Sequence, residues 1–484
     1  MIRLRHRGRT LRIAGVLLPA LLAACTAGPE YVKPNVDMPG AWKVEAPWRE
    51  GRPSDTLAKG PWWQRFGDEQ LDALQKKALE GSPTLALASA RLEQATAILA
   101  AASAGRYPTA GFQVRDARTR IAANRPLNNN IAPNFTTTQM DYVGAFNASY
   151  EVDLAGRVQR TIEGARASAE QSAADFENIR LILTADLATA YFNLRAIDIE
   201  IDVLARSIEL QRRSLGLATS RRNLGAASGL DVAQQQALVD NTLTQVDLLR
   251  RQRAQFEHAI ATLTGTPAPL FSLAPNISDI TPPSVPLGVP SDVLERRPDV
   301  AAAERAMAAA NAQIGVASAA FYPSVTLGGL YGVESRYLPE LFSTASYIWS
   351  LGANAALTLF DGGRLRALAD SARANYDATV ANYRRVVLTA MQEAEDGIIG
   401  LAALERAHTQ AQTAISSASR VLELASARYE GGVATSLDVI VAQQSLLASE
   451  RLASQILGQR LLSSVFLVKA LGGDWQGMKK VAAE

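Results

Sequence analysis

Few side chains in these 484 residues could do covalent or metal chemistry. There are three histidines, His6, His258 and His408, and one cysteine, Cys25. His6 lies in an N-terminal leader, and the other two are isolated from each other and from any cysteine. No Cys/His metal cluster and no Ser/Cys-His nucleophile can be assembled from that inventory. Acids such as Glu393, Glu395 and Asp396 fall on one long helical stretch, where charge is the ordinary solvated face. An enzyme is therefore not expected, and neither is a metal or an organic cofactor. The acids with more interest are Asp231 and Asp438, each three residues after a hydroxyl residue, Ser228 and Thr435, and each following a glycine-containing turn. That is capping-box spacing with Asp in place of Glu or Gln. Tyr429 stands just before the second of these turns.

The elements that must position these residues follow from charge and hydrophobic pattern. Arg3, Arg5, Arg7, Arg9 and Arg12 precede the apolar run "IAGVLLPALLAA", too short to span a membrane as a mature helix, so residues 1–24 read as a signal peptide. Removing those five arginines from the formal charge of +2 leaves −3, and no basic patch for nucleic acid remains. The leader ends in "LAAC", which resembles the lipobox of bacterial lipoproteins, implying that Cys25 is lipidated and becomes the mature N-terminus. Thr26, rather than Asp, follows it, which implies sorting to the outer membrane.

The chain is duplicated. "SPTLALASARLEQATAILAAASAGRYPT" from Ser82 matches "RPDVAAAERAMAAANAQIGVASAAFYPS" from Arg297. Downstream, Gly156-Arg157 matches Gly363-Arg364, and Leu230-Asp231 matches Leu437-Asp438. Eight of the 21 prolines fall within residues 265–298 and mark a connector. The expected domains are a signal peptide at 1–24, an N-terminal lipoprotein segment at 25–67, a first repeat at 68–264, a Pro-rich connector at 265–291, a second repeat at 292–473 and a tail at 474–484. Each repeat reads as helix, strand, loop, strand, long helix, turn, helix.

The strands alternate. Phe146, Ala148, Tyr150, Val152 and Leu154 make one face against Asn147, Ser149, Glu151 and Asp153. Val325, Leu327, Tyr331 and Val333, then Leu351, Ala353, Ala355, Leu357 and Leu359, make apolar sides in the second repeat. The first strand, "GFQVRDARTR", is apolar only at Phe112 and Val114. From Ala155 to about Leu217 one helix of about 63 residues, about 95 Å long, is expected. Its apolar stripe (Ile162, Ala169, Phe176, Leu183, Ala190, Ile197, Leu204, with Ala173, Leu187, Leu194, Ile201, Ile208 and Leu215) repeats every seven residues, the period of a left-handed coiled coil. Four strands cannot close a barrel and an open edge is not tolerated in lipid. Several chains must pool strands, three giving twelve, and strand-into-helix becomes the join between a membrane pore and a periplasmic tunnel.

"CTAGPEYVKP", "WWQRFGDEQLDAL", "DLAGRV" and above all "LERRPDVAAAERAMAAANAQIGVASAAFYPSVTLGGLYG" resemble the outer-membrane factors, the TolC-like exit ducts of tripartite efflux systems, in their lipoprotein branch. The resemblance implies a homotrimer with a twelve-stranded β-barrel continued by an α-helical periplasmic barrel. It implies location in the outer membrane, a periplasmic adaptor protein and an inner-membrane pump of the resistance-nodulation-division class. It further implies that the turns carrying Arg222, Gly225 and Ser228, and Arg428, Gly431 and Thr435, receive the adaptor. Tyr429 would hydrogen-bond Asp231 to hold the periplasmic mouth closed, and Asp438 would ring the entrance as a cation-selecting gate. Two departures stand out: the family's arginine in the second turn is replaced by Ala434, and its second ring aspartate by Val441. The channel reading leaves a type I protein-secretion duct open beside small-molecule efflux. A lipid-anchored periplasmic coiled-coil scaffold would explain the heptads but not the strands.

Overall fold

The computed structural model describes residues 27–32, 60–123, 136–277, 280, 282–283 and 297–473; Cys25 lies outside them. The first repeat contains α1 (Glu69–Gly81), α2 (Pro83–Ala104), β1 (Thr109–Ile121), β2 (Thr137–Val152), α3 (Arg157–Asn223) and α4 (Gly229–Leu263). The second contains α5 (Pro298–Ala319), β3 (Ser324–Ser335), β4 (Tyr347–Ala356), α6 (Arg364–Glu430) and α7 (Ser436–Ala470). The duplication is exact in the hairpins: α3 and α6 have 67 residues each, and α4 and α7 have 35 each. Residues n and n+207 are equivalent throughout them. Among the described residues, no helix is long and apolar enough to cross a membrane.

Two compact units cut across the repeats. Of the described residues, one gathers 27–32, 93–123, 136–171 and 304–382, and the other 60–92, 172–277, 280, 282–283, 297–303 and 383–473. The first holds a four-stranded antiparallel sheet in the order β1-β2-β3-β4. β1 is longer than its apolar pattern suggested, because its charged half, Arg115 to Arg120, stays paired with β2 as far as Ile121↔Thr137. β2 meets β3 only up to Tyr142↔Ser335, so the β1–β2 ribbon runs on past β3. β4 is shorter than expected. It ends at Ala356, leaving Leu357 and Leu359 exposed beyond it. Asp361 accepts hydrogen bonds from the backbone N–H of Gly363 and Leu365 at 3.0 and 2.8 Å, which draws the chain into the start of α6 instead.

The core of the second unit forms around the N-terminal segment. Trp62, Trp63, Phe66, Leu71 and Leu74 pack with Leu187, Tyr191, Phe192 and Leu194 of α3, Ile260 of α4, and Leu461, Val465 and Val468 of α7. The "WWQRF" stretch thus covers the seam where helices of both repeats meet. Along α3 the heptad stripe is buried at Ile162, Ala169, Leu183, Leu187, Ala190, Leu194, Ile197, Leu204 and Ile208. At one place Ala174 is buried and Ala173 exposed, the drift expected when a 3.6-residue helix follows a seven-residue repeat.

Beneath this core runs a buried ionic cluster. Asp198 accepts from Arg195 at 2.8 Å and Arg253 at 2.6 Å, and both Asp198 and Arg195 are about 1% exposed. Arg253 also donates to the Leu273 carbonyl at 2.7 Å, and Arg195 to that of Ala274 at 3.0 Å. The backbone N–H of Asn276 reaches Asp198 at 3.2 Å. The connector is thereby tied to both helices of the first hairpin. At the same level Asp68 caps α1 through the N–H groups of Gln70 and Leu71 and accepts the Tyr191 hydroxyl. Burial, first, and the Asp68 carboxylate, second, push the Tyr191 phenol well above its ordinary range.

Candidate functional site

The sheet has two chemically different faces, and the register fixes which residues share each. Phe112 pairs with Phe146, Phe146 with Tyr331, and Tyr331 with Trp349, so one aromatic from each strand lies in a single row. Phe112 and Phe146 have ring centroids 4.8 Å apart, and Tyr331 lies 6.4 Å from Tyr347 in stacked geometry. The same face carries Val114, Ala148, Tyr150, Leu327, Val333, Leu351 and Ala353. The opposite face presents Gln113, Asn147, Ser149, Glu151, Thr326, Ser350 and Asn354, interrupted by Leu330, Ile348 and the buried Val143 and Ala145. An apolar face with an aromatic row and a polar opposite face is the pattern of a transmembrane barrel wall, with lipid on one side and water on the other. Among the described residues, β1 and β4 each leave one edge unpaired.

Each strand-to-helix join is fixed by an aspartate that the sequence reading passed over. Asp153 accepts from the backbone N–H of Gln159 at 2.8 Å, and Asp361 caps α6 as described. Both stand two or three residues ahead of the repeated Gly-Arg, a spacing that could have revealed them. Arg157 of that dipeptide makes a two-pronged ion pair with Glu151, one prong at 2.8 Å.

Residues 27–32 are strapped to the same unit. The Ala27 N–H donates to the Ala155 carbonyl at 3.0 Å. The Arg160 guanidinium donates to the carbonyls of Ala27 and Gly28 at 3.3 and 3.4 Å, and Asn311 donates to that of Pro29 at 3.1 Å. Gly28 has φ +93°, and a Cβ there would lie 2.6 Å from the Gly315 backbone, so only glycine fits. The chain two residues beyond Cys25 is therefore held at the helix-side end of the sheet.

The hairpin turns are built alike. After α3, Gly225 takes φ +80°, with Gly225 N–H bonded to Arg222 O and Ala226 N–H to Arg221 O. After α6, Gly432 takes φ +76°, with Gly432 N–H to Tyr429 O and Val433 N–H to Arg428 O. Both are Schellman closures, in which only glycine adopts the left-handed conformation cheaply. This corrects the turn register read from sequence. The glycine equivalent to Gly225 is Gly432, not Gly431, and the arginine equivalent to Arg428 is Arg221, not Arg222, because the 207-residue offset holds without a gap. Capping boxes follow: Asp231 accepts from the Ser228 N–H and hydroxyl, and Asp438 from those of Thr435, all at 2.8 Å.

Contacts between the two hairpin tips differ from the expected tyrosine–aspartate link. Among the described residues, Tyr429 and Asp231 share no hydrogen bond. Instead the Arg221 guanidinium lies 4.3 Å over the Tyr429 ring and donates to the carbonyls of Tyr429 and Glu430 at 3.0 and 3.1 Å. The Ser436 hydroxyl donates to Asp231 Oδ1. Tyr429 is buried under Arg221 because the extended guanidinium satisfies two end-of-helix carbonyls while stacking on the ring. Hydrogen bonds from Ser436 and Ser228 hold the Asp231 carboxyl below its ordinary range, and those from Thr435 do the same for Asp438. Asp438 is exposed and has one oxygen to spare. Arg222 and Arg428 are exposed, Arg222 lying against Gly229. Among the described residues there is no group of three or more His, Cys, Asp and Glu that could hold a metal.

Comparison with known proteins agrees with this construction. Pyoverdine export outer membrane protein OpmQ of Pseudomonas aeruginosa is 32% identical over 457 residues, covering 94% of this chain and 95% of that protein. Toluene efflux pump outer membrane protein TtgF of Pseudomonas putida is 31% identical over 474 residues, covering 96% and 97%. The solved outer-membrane channel OprN superimposes with a TM-score of 0.85 at 27% identity, over 93% of this chain and 100% of that one. The protein is thus an outer-membrane exit duct of an efflux system and not an enzyme. With the family's sequence pattern matching residues 74–266 and 289–473, this chain belongs to the outer membrane efflux protein family.

Proposed function

We propose that three copies pool their sheets into a twelve-stranded barrel and that their helical hairpins form the wall of a periplasmic tunnel. The observation that carries this is the sheet itself: an aromatic, apolar face opposite a polar one, with one edge of β1 and one edge of β4 left unpaired among the described residues. An open edge in hydrocarbon strands backbone N–H and C=O groups at several kcal/mol each, so β1 of one copy pairs with β4 of the next. The duct receives its cargo from an inner-membrane pump of the resistance-nodulation-division class through a periplasmic adaptor. The adaptor docks on the hairpin turns carrying Arg222, Gly225 and Ser228, and Arg428, Gly431 and Thr435. Asp438 forms the electrostatic ring at the mouth, while Asp231 and Tyr429 hold the tips through Ser436 and Arg221. Cys25 carries the lipid, and the strap at residues 27–32 fixes the chain from Ala27 onward.

The cargo is small organic molecules, antibiotics, solvents or siderophore-like chelators, in line with the toluene and pyoverdine in the names of two relatives. Planar bilayers test the duct: the purified protein should give stepwise conductance, and a silent bilayer from a preparation shown to be trimeric would sink the reading. Mass spectrometry of the mature N-terminus tests the anchor. An unmodified Cys25, or cleavage elsewhere, removes it.

A further inference from the structure

Strand β1 changes character along its length. Phe112 and Val114 give way to Arg115, Asp116, Arg118 and Arg120, yet the ladder with β2 continues to Ile121↔Thr137 without a break. A register without a bulge preserves side-chain parity. Arg118 and Arg120 therefore stand on the face of Phe112 and Val114, opposite Met140 and Thr138 of β2, whereas Arg115 stands on the face of Gln113.

The two faces treat their arginines differently. On the polar face Arg115 is paired with Asp141. Arg118 and Arg120 are exposed, and among the described residues they make neither an ion pair nor a side-chain hydrogen bond. Asp116, the acid on their face, lies one row nearer the apolar band, opposite Tyr142.

The paired rows measure where these arginines stand in a membrane. From the Val152↔Val325 row to the Tyr142↔Ser335 row is ten residues of β2. At a rise of about 3.3 Å per residue and a tilt of about 40°, they cover about 25 Å along the membrane normal, the height of the apolar band of a barrel. Arg118 and Arg120 lie two and four residues past the Tyr142 row, about 5 and 10 Å beyond the edge of that band. This end of the sheet is the one away from the helices, because α2 leads into β1 at Thr109 and β2 leads out to α3 after Val152. It therefore faces the outer leaflet. A charge on the lipid face is costly at the midplane and close to neutral at the interface, so arginines at this height take their partner from the membrane.

We propose that Arg118 and Arg120 of each chain bind the phosphate groups of the phosphorylated glycolipid that makes up the outer leaflet. This rests on the barrel proposed above, which sets the apolar face against lipid. Alternate residues of a strand are about 7 Å apart, so both guanidinium groups reach a single headgroup. Each presents a planar fork of N–H donors that matches two phosphate oxygens. The half-buried Tyr142 ring marks the rim between acyl chains and headgroups, the level at which tyrosine is favoured in membranes.

Native mass spectrometry of the full-length lipoprotein trimer tests this, with diphosphorylated lipid A, an acylated glucosamine disaccharide, as the probe. The unsubstituted protein should retain it about tenfold more tightly than the same lipid stripped of its phosphates, and inorganic phosphate should not displace it. Arg118→Gln with Arg120→Gln should bring the two lipids to within about twofold of each other while heat-resistant trimers persist. Arg115→Gln, on the opposite face, should leave the preference as it was. Equal retention of both lipids by the unsubstituted protein overturns the proposal, as does a double variant that keeps the full preference; displacement by inorganic phosphate overturns the lipid as occupant. Should the double variant not assemble, the comparison of the two lipids on the unsubstituted protein decides. Failure of the barrel reading has a different signature. If Arg115→Gln abolishes the preference while the double variant alters single-channel conductance, the faces are reversed and both readings fall.

Discussion

The sheet and the core around Trp62 and Tyr191 differ in how much of their bonding one chain completes. In the core, Asp198 and Arg195 are buried and Arg253 half-buried, their charged ends meet carboxylate, carbonyl and N–H partners, and aromatic and aliphatic side chains from four separate segments close over one another. In the sheet, Phe112, Phe146, Tyr331, Trp349 and Leu351 are exposed and, among the described residues, two strand edges are open. A region that satisfies itself folds with its own chain; a region that does not is finished by lipid and by further copies. The hairpin tips stand between these extremes, satisfied on one side and open on the other.

Breaking the self-sufficient region should cost most. Asp198→Ala leaves Arg195 buried with its charge uncompensated, and a loss of about 3–5 kcal/mol is expected in thermal or denaturant unfolding. A loss below about 1 kcal/mol would show that the cluster relaxes or hydrates and is not the self-contained centre described here.

The sheet comparison is sharpened by adjacent substitutions of opposite parity. Leu351→Arg places a charge on the lipid face and should cost about 2–4 kcal/mol of folding in the membrane, seen as loss of heat-resistant oligomers. Ser350→Arg, one residue away on the polar face, should leave oligomer yield nearly unchanged and alter conductance instead. Equal damage from both would mean that the faces are assigned wrongly.

Smaller effects are expected at the tips. Arg221→Ala removes the cation–π contact and two hydrogen bonds to carbonyls, a loss of about 1–2 kcal/mol in holding the tips together, read as more frequent opening in bilayers. Tyr429→Phe retains the ring under Arg221 and should change opening little; a rise equal to that of Arg221→Ala would restore the phenol as the latch.

Asp438→Asn should weaken cation selectivity and block by multivalent cations from the periplasmic side while leaving trimers intact. The Asp438 carboxyl is held below its ordinary range by the Thr435 N–H and hydroxyl, so its charge and its capping contribution are present at neutral pH. They are lost only as pH falls through that lowered value. Selectivity measured at pH 7 and at pH 5 should therefore agree. A marked decline by pH 5 would mean that crowding of three carboxylates outweighs the capping bonds.

Much of this was legible in the sequence because it is local and periodic. The two-residue alternation in β2, β3 and β4 assigns each side chain to a face before any partner strand is known, and the observed register agrees with that assignment from Val152↔Val325 to Tyr331↔Trp349. Seven-residue spacing marked the buried stripe of α3. Duplication announced two hairpins, and Ser228 to Asp231 and Thr435 to Asp438 gave both capping boxes.

Contacts between segments distant in sequence were decided by the tertiary structure alone. No spacing relates Arg221 to Tyr429, Ser436 to Asp231 or Asn276 to Asp198; these pairs exist because helix packing brings separate faces to one level. The charged half of β1 lacks an alternating pattern and becomes a strand only because β2 offers it a continuous ladder of backbone partners. Local periodicity fixes which way a side chain points. What it meets there depends on packing, which no single segment encodes.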